Sequence, residues 1–458
     1  MARAHILAQG GVRVEVLERV GALVWSWPTL VIFSCVGIYL THCASGIQLR
    51  HFGACIGGTA KHFTHGGGSG GMSPFQALST ALGGTVGTGN VAGVTLAIAV
   101  GGPGVLFWMW VSAFLGMATK YSEVLLAVKF RERNENGERV GGPMYYIRNG
   151  LGRSFRPLAY IFAMAGALAA FGMGSAVQAG EIRSALSTLC TALSVKVGDG
   201  FPLAVGLIVS ALAAAVLLGG AKRLGSVTGL LVPFMSIAYI AACTAVLCIN
   251  SERILPCLAE IVQSAFTPGA PLGACVGWGF RRGVFSNEAG LGSSPIAHAS
   301  TTESDCVRQG MAGVFEVFAD TIVICTLTGL TLLVSGVMGT GEPTTALNAA
   351  SLSDAFGSTG GAVIIAVSIT LFAFSSLLSW GYYGARCCEF MFGLRSLSAY
   401  RLLFCAAALV GAVVRLDAVW LAADALNAMM AAPNLIALVA LSGNVRDETR
   451  RYFAKRGK

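Results

Sequence analysis

The sequence predicts an all-α polytopic membrane protein of about 11 transmembrane helices, with one extra N-terminal helix ahead of a 5+5 inverted repeat that holds two broken helices. Three observations predict it: low charge, charge asymmetry between loops, and two glycine-rich interruptions five spans apart. Of 458 residues, 55% are hydrophobic and 12% charged. Ordinary soluble domains carry roughly 25% charged residues. The mean hydropathy is +0.70. Residues 224–251 and 355–385 contain no charged side chain, and each run exceeds the roughly 20 apolar residues that cross a bilayer.

In chain order the apolar runs are 20–42, 73–99, 103–128, 156–189, 201–219, 226–249, 272–298, 309–337, 359–385, 398–414 and 417–443. The first is long enough to span and lacks an A-x-A cleavage signal. The run at 398–414 is short unless its flanking Arg residues snorkel. Residues 1–72 then form an N-terminal arm, extra helix and loop; 73–250 and 251–445 form the two repeats; 446–458 form a basic tail. No soluble domain is expected at either end.

Charge sets the orientation. Seven Lys and Arg fall in residues 129–156, whereas the loops of the opposite side hold only Lys196, Arg253 and Arg415. Positive loops stay in the cytoplasm, so the C-terminus is expected inside and the N-terminus outside. The stretch "VRVEVLERV" is expected to lie in the interface as an amphipathic helix. The net charge of +9 therefore reflects topology rather than nucleic-acid binding. Thirteen scattered cysteines without a C-x-x-C pair suggest neither a disulfide framework nor a metal site.

The first interruption is "GGTVGTGNVAG", residues 83–93. Its letters fit the dinucleotide fingerprint, but that motif needs a preceding strand and an acidic residue about 20 positions on. No Asp or Glu lies between Glu18 and Glu123. Each interior glycine costs a helix about 1 kcal/mol relative to Ala, so Gly83 to Gly89 predict a break. Unwound backbone in a membrane must face a protein-lined cavity. Free amides near Thr88, Gly89 and Asn90 suit a carboxylate; carbonyls near Gly83 and Val86 suit a cation. The second interruption is expected over "GWGFRRGVFSNEAGLG", residues 277–292, with Arg281, Arg282, Asn287 and Glu288 inside it. Paired breaks in corresponding halves point to a secondary transporter.

The blocks "SPFQALSTALGGTVGTGNVAGV", "GGPGVLFWMWVSAFLGMATKYSE", "GGPMYYI" and "FRRGVFSNEAGLGSSPIAHA" resemble the alanine/glycine:cation symporter family, from about residue 70 to 445. The resemblance implies sodium-coupled, sometimes proton-coupled, import of small neutral amino acids on a leucine-transporter type of inverted repeat. It implies substrate carboxylate binding at Thr88 and Gly89, with Gln178 reaching the substrate and Trp380 as an aromatic wall. Phe280 and Phe285 are weaker wall candidates. It implies a sodium site between the Gly83 and Val86 carbonyls and the Ser375 and Ser376 hydroxyls. The chain departs from the family pattern at Ser175, Ser376 and Ala385; the last removes a usual Glu near the cytoplasmic end.

Charges inside spans are functional by default. Arg281, Arg282, Asn287, Glu288 and Asp320 are expected to serve a gate or pathway. Glu316 and Asp320 are candidate partners for the cations, and Asp424 is a further one. Lys120 and Glu123 are expected to pair at the interface. Small crowded side chains around the first break favour alanine and glycine, then serine and D-enantiomers. The coupling ion is Na+, with H+ as the alternative; a proton-coupled transporter or an exchanger is the alternative function. The partners are a small neutral amino acid and the lipid bilayer, with a monomer as functional unit in the inner membrane of a prokaryote. An enzyme is disfavoured: no H-E-x-x-H occurs, and His62 and His65 are too few for a metal. A channel would need rings of like residues from a symmetric oligomer.

Overall fold

The computed structural model describes residues 26–62, 71–268, 270–338, 344–414 and 417–456. The interfacial arm and His65 lie outside them, as does the side chain of Asp424. The helices that build the bundle are α1 (Trp27–Cys43), α2 (Pro74–Thr85), α3 (Gly89–Gly101), α4 (Val105–Lys129), α5 (Arg153–Ala192), α6 (Phe201–Leu217) and α7 (Gly220–Ile249). They continue as α8 (Ser251–Ala265), α9 (Ala270–Asn287), α10 (Pro295–Ala299), α11 (Cys306–Ser335), α12 (Ser353–Phe392), α13 (Ser396–Val413), α14 (Asp417–Ala440) and α15 (Ser442–Arg456). Six of the described helices are long and apolar enough to cross a membrane, or up to eight when each of two bent pairs counts as one.

Outward faces are apolar: Leu230, Phe234, Ile237 and Leu255 are all largely exposed. An uncovered apolar surface of this kind suits hydrocarbon as solvent. The interior is closed by small residues and aromatics. Gly174, in a π-helical stretch of α5, has Trp380 Cβ 2.2 Å from where a side chain would begin. Such close approach is how helices associate without a hydrophobic driving force.

The first interruption is real and short. α2 starts on a capping box: the Ser73 hydroxyl accepts from Gln76 N at 3.1 Å, and Ser73 N donates to the Gln76 side chain at 3.0 Å. The helix stops at Thr85, and α3 leaves at 47° to it. The first turn of α3, Gly89–Gly93, is π-helical.

The second interruption is narrower than the sequence suggests. α9 runs unbroken through Arg281, Arg282 and Asn287. The chain leaves the helix at Glu288, which has a φ of 54°, followed by Gly290 at 92° and Gly292 at 81°. Positive φ is cheap only for glycine, so these residues and not the earlier glycines set the break. Arg281 and Arg282 thus lie on the helix ahead of it. Helix resumes at α10.

Several elements lie outside the expected spans, among them the helices Phe52–His62, Pro143–Gly150 and Thr344–Ser351 and the tail helix α15. α8 is an amphipathic helix in what reads as a loop. A small antiparallel hairpin, β1 (Glu132–Arg133) with β2 (Arg139–Val140), interrupts the otherwise helical chain between α4 and α5.

Candidate substrate and cation site

α12 packs against α2 and presents a column of hydroxyls to the first break. Ser376 Oγ donates to the Gly83 carbonyl at 3.1 Å, and Ser375 Oγ reaches the same oxygen at 3.3 Å while also donating to Phe372 O at 2.9 Å. One turn on, Ser379 Oγ donates to Thr80 O at 2.7 Å, and Tyr383 OH reaches that carbonyl at 3.3 Å. Residues 375, 376, 379 and 383 share one helix face. The expected cation oxygens Gly83, Ser375 and Ser376 are therefore brought together; all are buried. Val86, also buried, follows with a φ of −76° and ψ of 87°, the point where α2 ends.

On the other side of the break, Thr88 Oγ1 donates to Gln178 Oε1 at 3.3 Å, and Gln178 Nε2 donates to Met173 O at 3.1 Å. Gln178 thus faces the break from α5. Asn90 Oδ1 accepts from Gly87 N at 3.0 Å, closing the turn, while its Nδ2 donates to Asp320 Oδ1 at 2.6 Å. Asp320 Oδ2 accepts from Ser286 Oγ at 2.8 Å and Thr321 Oγ1 at 2.7 Å. Asp320 on α11 therefore receives donors from α3 and α9, rather than standing opposite the Arg residues alone. Arg282 lies along α3: an added methyl at Gly89 would sit 2.2 Å from its Nη2, and at Gly93 2.1 Å from its Cζ. Arg281 stacks over Phe285 at 5.6 Å and Trp278 at 5.7 Å. Phe280 is buried in the core.

The second break is held from four helices. Trp380 Nε1 donates to Glu288 Oε1 at 3.1 Å, and Ser293 Oγ donates to Glu288 Oε2. Asn287 Nδ2 donates to Thr321 Oγ1 at 3.2 Å, and its Oδ1 accepts from Ala289 N at 3.0 Å. Glu123 Oε1 accepts from Gly290 N at 3.0 Å and from Asn434 Nδ2 at 2.5 Å; Asn434 also donates to Gly290 O. Lys120 Nζ donates to Ser294 Oγ at 2.7 Å and lies 3.4 Å from Glu316 Oε1. Lys120 and Glu123 are fully buried, not an interfacial pair. A buried ammonium needs a carboxylate close by, and it takes Glu316 from α11. Glu316 also contacts His298 Nε2 at 2.9 Å.

Ser286, Ser293, Thr321, Ser379 and Tyr383 join the site without a motif that marks them in the sequence, although Ser379 and Tyr383 stand at helical spacing from Ser375.

Apolar helices around two breaks, with backbone carbonyls and buried polar side chains converging on them, are the architecture of a polytopic membrane transporter. Comparison gives the family. Residues 11–458 match the model of the Sodium:alanine symporter family, and the chain belongs to that family. It is 41% identical to the sodium/alanine symporter AgcS of Methanococcus maripaludis over 448 residues, covering 96% of this chain and 97% of the relative. It is 35% identical to the "Probable sodium/glutamine symporter GlnT" of Bacillus subtilis, covering 94% and 90%. Among solved structures it is similar to MhsT in complex with L-phenylalanine, with a TM-score of 0.59 at 12% identity, over 83% of this chain and 99% of that one. A manganese transporter from Eremococcus coleocola matches at a TM-score of 0.51 and 16% identity, over 80% and 76%. These last likenesses show the fold alone, that of leucine-transporter-type proteins.

Proposed function

We propose that the chain imports small neutral amino acids, alanine and glycine foremost, coupled to sodium by alternating access. The observation that carries this reading is the meeting of Ser375 and Ser376 with the Gly83 carbonyl, across the break from Thr88 and its Gln178 partner. Sodium sits among those oxygens together with the Val86 carbonyl. The substrate carboxylate sits at the Thr88 and Gly89 amides, the expected Asn90 amide being turned instead to Gly87 O at 3.1 Å, with Gln178 and Trp380 beside it and Phe280 and Phe285 towards the second break. Arg281, Arg282, Asn287, Glu288 and Asp320 line the gates.

The reading takes eleven spans as one extra helix plus two inverted halves, with a cytoplasmic C-terminus in a prokaryotic inner membrane and a monomer as the unit. Sodium neutralises and stiffens the first break, raising affinity for the zwitterion; by linkage the zwitterion raises sodium affinity equally. One half then rocks against the other. Labelled alanine uptake into proteoliposomes tests it: an inward sodium gradient drives accumulation and generates a membrane potential. Equal uptake with choline replacing sodium and no pH gradient overturns it.

A further inference from the structure

Ten residues beyond Ser376 on α12, about 15 Å along the helix at 1.5 Å per residue, stands Arg386. It lines a separate pocket of about 320 Å³ with Asn136, Glu138, Arg139, Lys222 and Ser300. Its lining holds three cations and a single acid, Glu138. The pocket touches both breaks through their flanks: Gly71 precedes α2, and Ser300 follows α10 and meets the Tyr382 hydroxyl of α12.

Arg386 is rigidly presented. Its Nη1 donates to Glu389 Oε2 at 2.5 Å, and its guanidinium lies 5.0 Å over the Tyr382 ring. Its side chain is 3% exposed, and its Nε is buried with no hydrogen-bond partner among the described residues. Glu138, which accepts from Arg386 Nη2 at 2.6 Å, is the opposite: its side chain is 41% exposed and comes from the hairpin. A fixed guanidinium thus holds a peripheral, displaceable carboxylate. The hairpin is tied to the segment after α10 by Arg131 and Arg139, both donating to Thr301 O at 2.8 Å.

We infer that this pocket is an exit site for an α-amino-acid zwitterion, which inserts between Arg386 and Glu138. The substrate carboxylate takes the guanidinium, a geometry arginine favours, and its ammonium takes the released Glu138. Glu138 closes the empty site as an internal stand-in. The inference rests on the symport reading and on the hairpin facing the cytoplasm.

The test is the Michaelis constant for alanine on each side, measured in right-side-out and inverted membrane vesicles with sodium on both sides. Arg386→Gln is expected to raise the cytoplasmic-side KM about tenfold, corresponding to about 1.4 kcal/mol, and to leave the external KM unchanged. Arg386→Lys keeps the charge but not the two-pronged geometry, and gives an intermediate cytoplasmic KM; it carries the test if Arg386→Gln fails to fold. Internal alanine distinguishes the source of the ligand. If inhibition of uptake by internal alanine weakens in step with the cytoplasmic KM, the site is filled from the cytosol; if only efflux changes, it is filled from the central site. KM values that shift equally on both sides, or on neither, overturn the exit site while sodium-dependent uptake persists. Loss of sodium dependence in the unaltered protein overturns the symport reading instead.

Discussion

The indole of Trp380 donates to Glu288 Oε1 at 3.1 Å, joining the middle of α12 to the residue at which the second break begins. The same helix carries Ser375 and Ser376 to the first break. One element therefore touches both interruptions. Leaving a buried acceptor without its donor costs about 1–3 kcal/mol. Trp380→Phe keeps the aromatic bulk and removes that donor. It is expected to raise the alanine KM by about tenfold, read from uptake at saturating sodium. An unchanged KM would detach the Trp380–Glu288 contact from substrate binding.

Ser376→Ala removes one of the three oxygens gathered at Gly83. The expected outcome is an increase of about tenfold in the sodium concentration for half-maximal uptake, with the maximal rate retained once sodium saturates. Because bound sodium raises alanine affinity and alanine raises sodium affinity by one common coupling factor, the apparent alanine affinity at sub-saturating sodium is expected to fall too and to recover once sodium saturates. Sodium titrations at two alanine concentrations check both halves; a sodium dependence identical to the parent's sinks the assignment.

What the sequence made legible was governed by local physics. The glycines of Gly83–Gly89 weaken helix locally, and α2 does end among them: Gly83 and Gly84 close its last turn and the helix stops at Thr85. The second break begins later than the glycine-rich run 277–292 suggests. In the structure aromatic faces at Trp278 and Phe285 accommodate Arg281, and the glycines at 89 and 93 accommodate Arg282. The helix therefore continues to Asn287. Lys120 could not be matched to Glu316 from the chain, since their helices are separated by much of the sequence and meet only through packing. The hairpin has two residues per strand, too few for alternation to register. Arg386 could not be matched to Glu138 from the chain, since the hairpin reaches α12 only through packing, although its other carboxylate, Glu389, lies three residues on.

The Lys120–Glu316 pair gives a stability prediction. Removing one member of a buried pair typically costs about 3–5 kcal/mol, whereas replacing both by apolar groups is often neutral. Lys120→Met is expected to lower folded yield and thermal midpoint in detergent sharply, leaving Glu316 with His298 as its remaining close partner. Lys120→Met combined with Glu316→Leu is expected to recover most of the loss. A double variant no better than Lys120→Met would mean that the charges serve contacts beyond each other, with Ser294 the first to examine.

The hairpin pair carries a pH dependence of definite sign. Burial pushes the Glu138 carboxyl up, but the Arg386 guanidinium and the hydrogen bonds it donates outweigh this and hold the group below its ordinary value of 4.5. A depressed folded-state value means that the unfolded chain binds the proton more readily, so the contribution is complete above the ordinary value. It is lost as pH falls through the folded one. The stability difference between the protein and Glu138→Gln, measured as a shift in thermal midpoint, is therefore expected to be constant through the neutral range and to shrink only below 4.5. High salt should reduce it at neutral pH, because the carboxylate is partly exposed and screened. A difference that already vanishes at neutral pH would show that Arg386 is satisfied by Glu389 and leaves Glu138 loosely held.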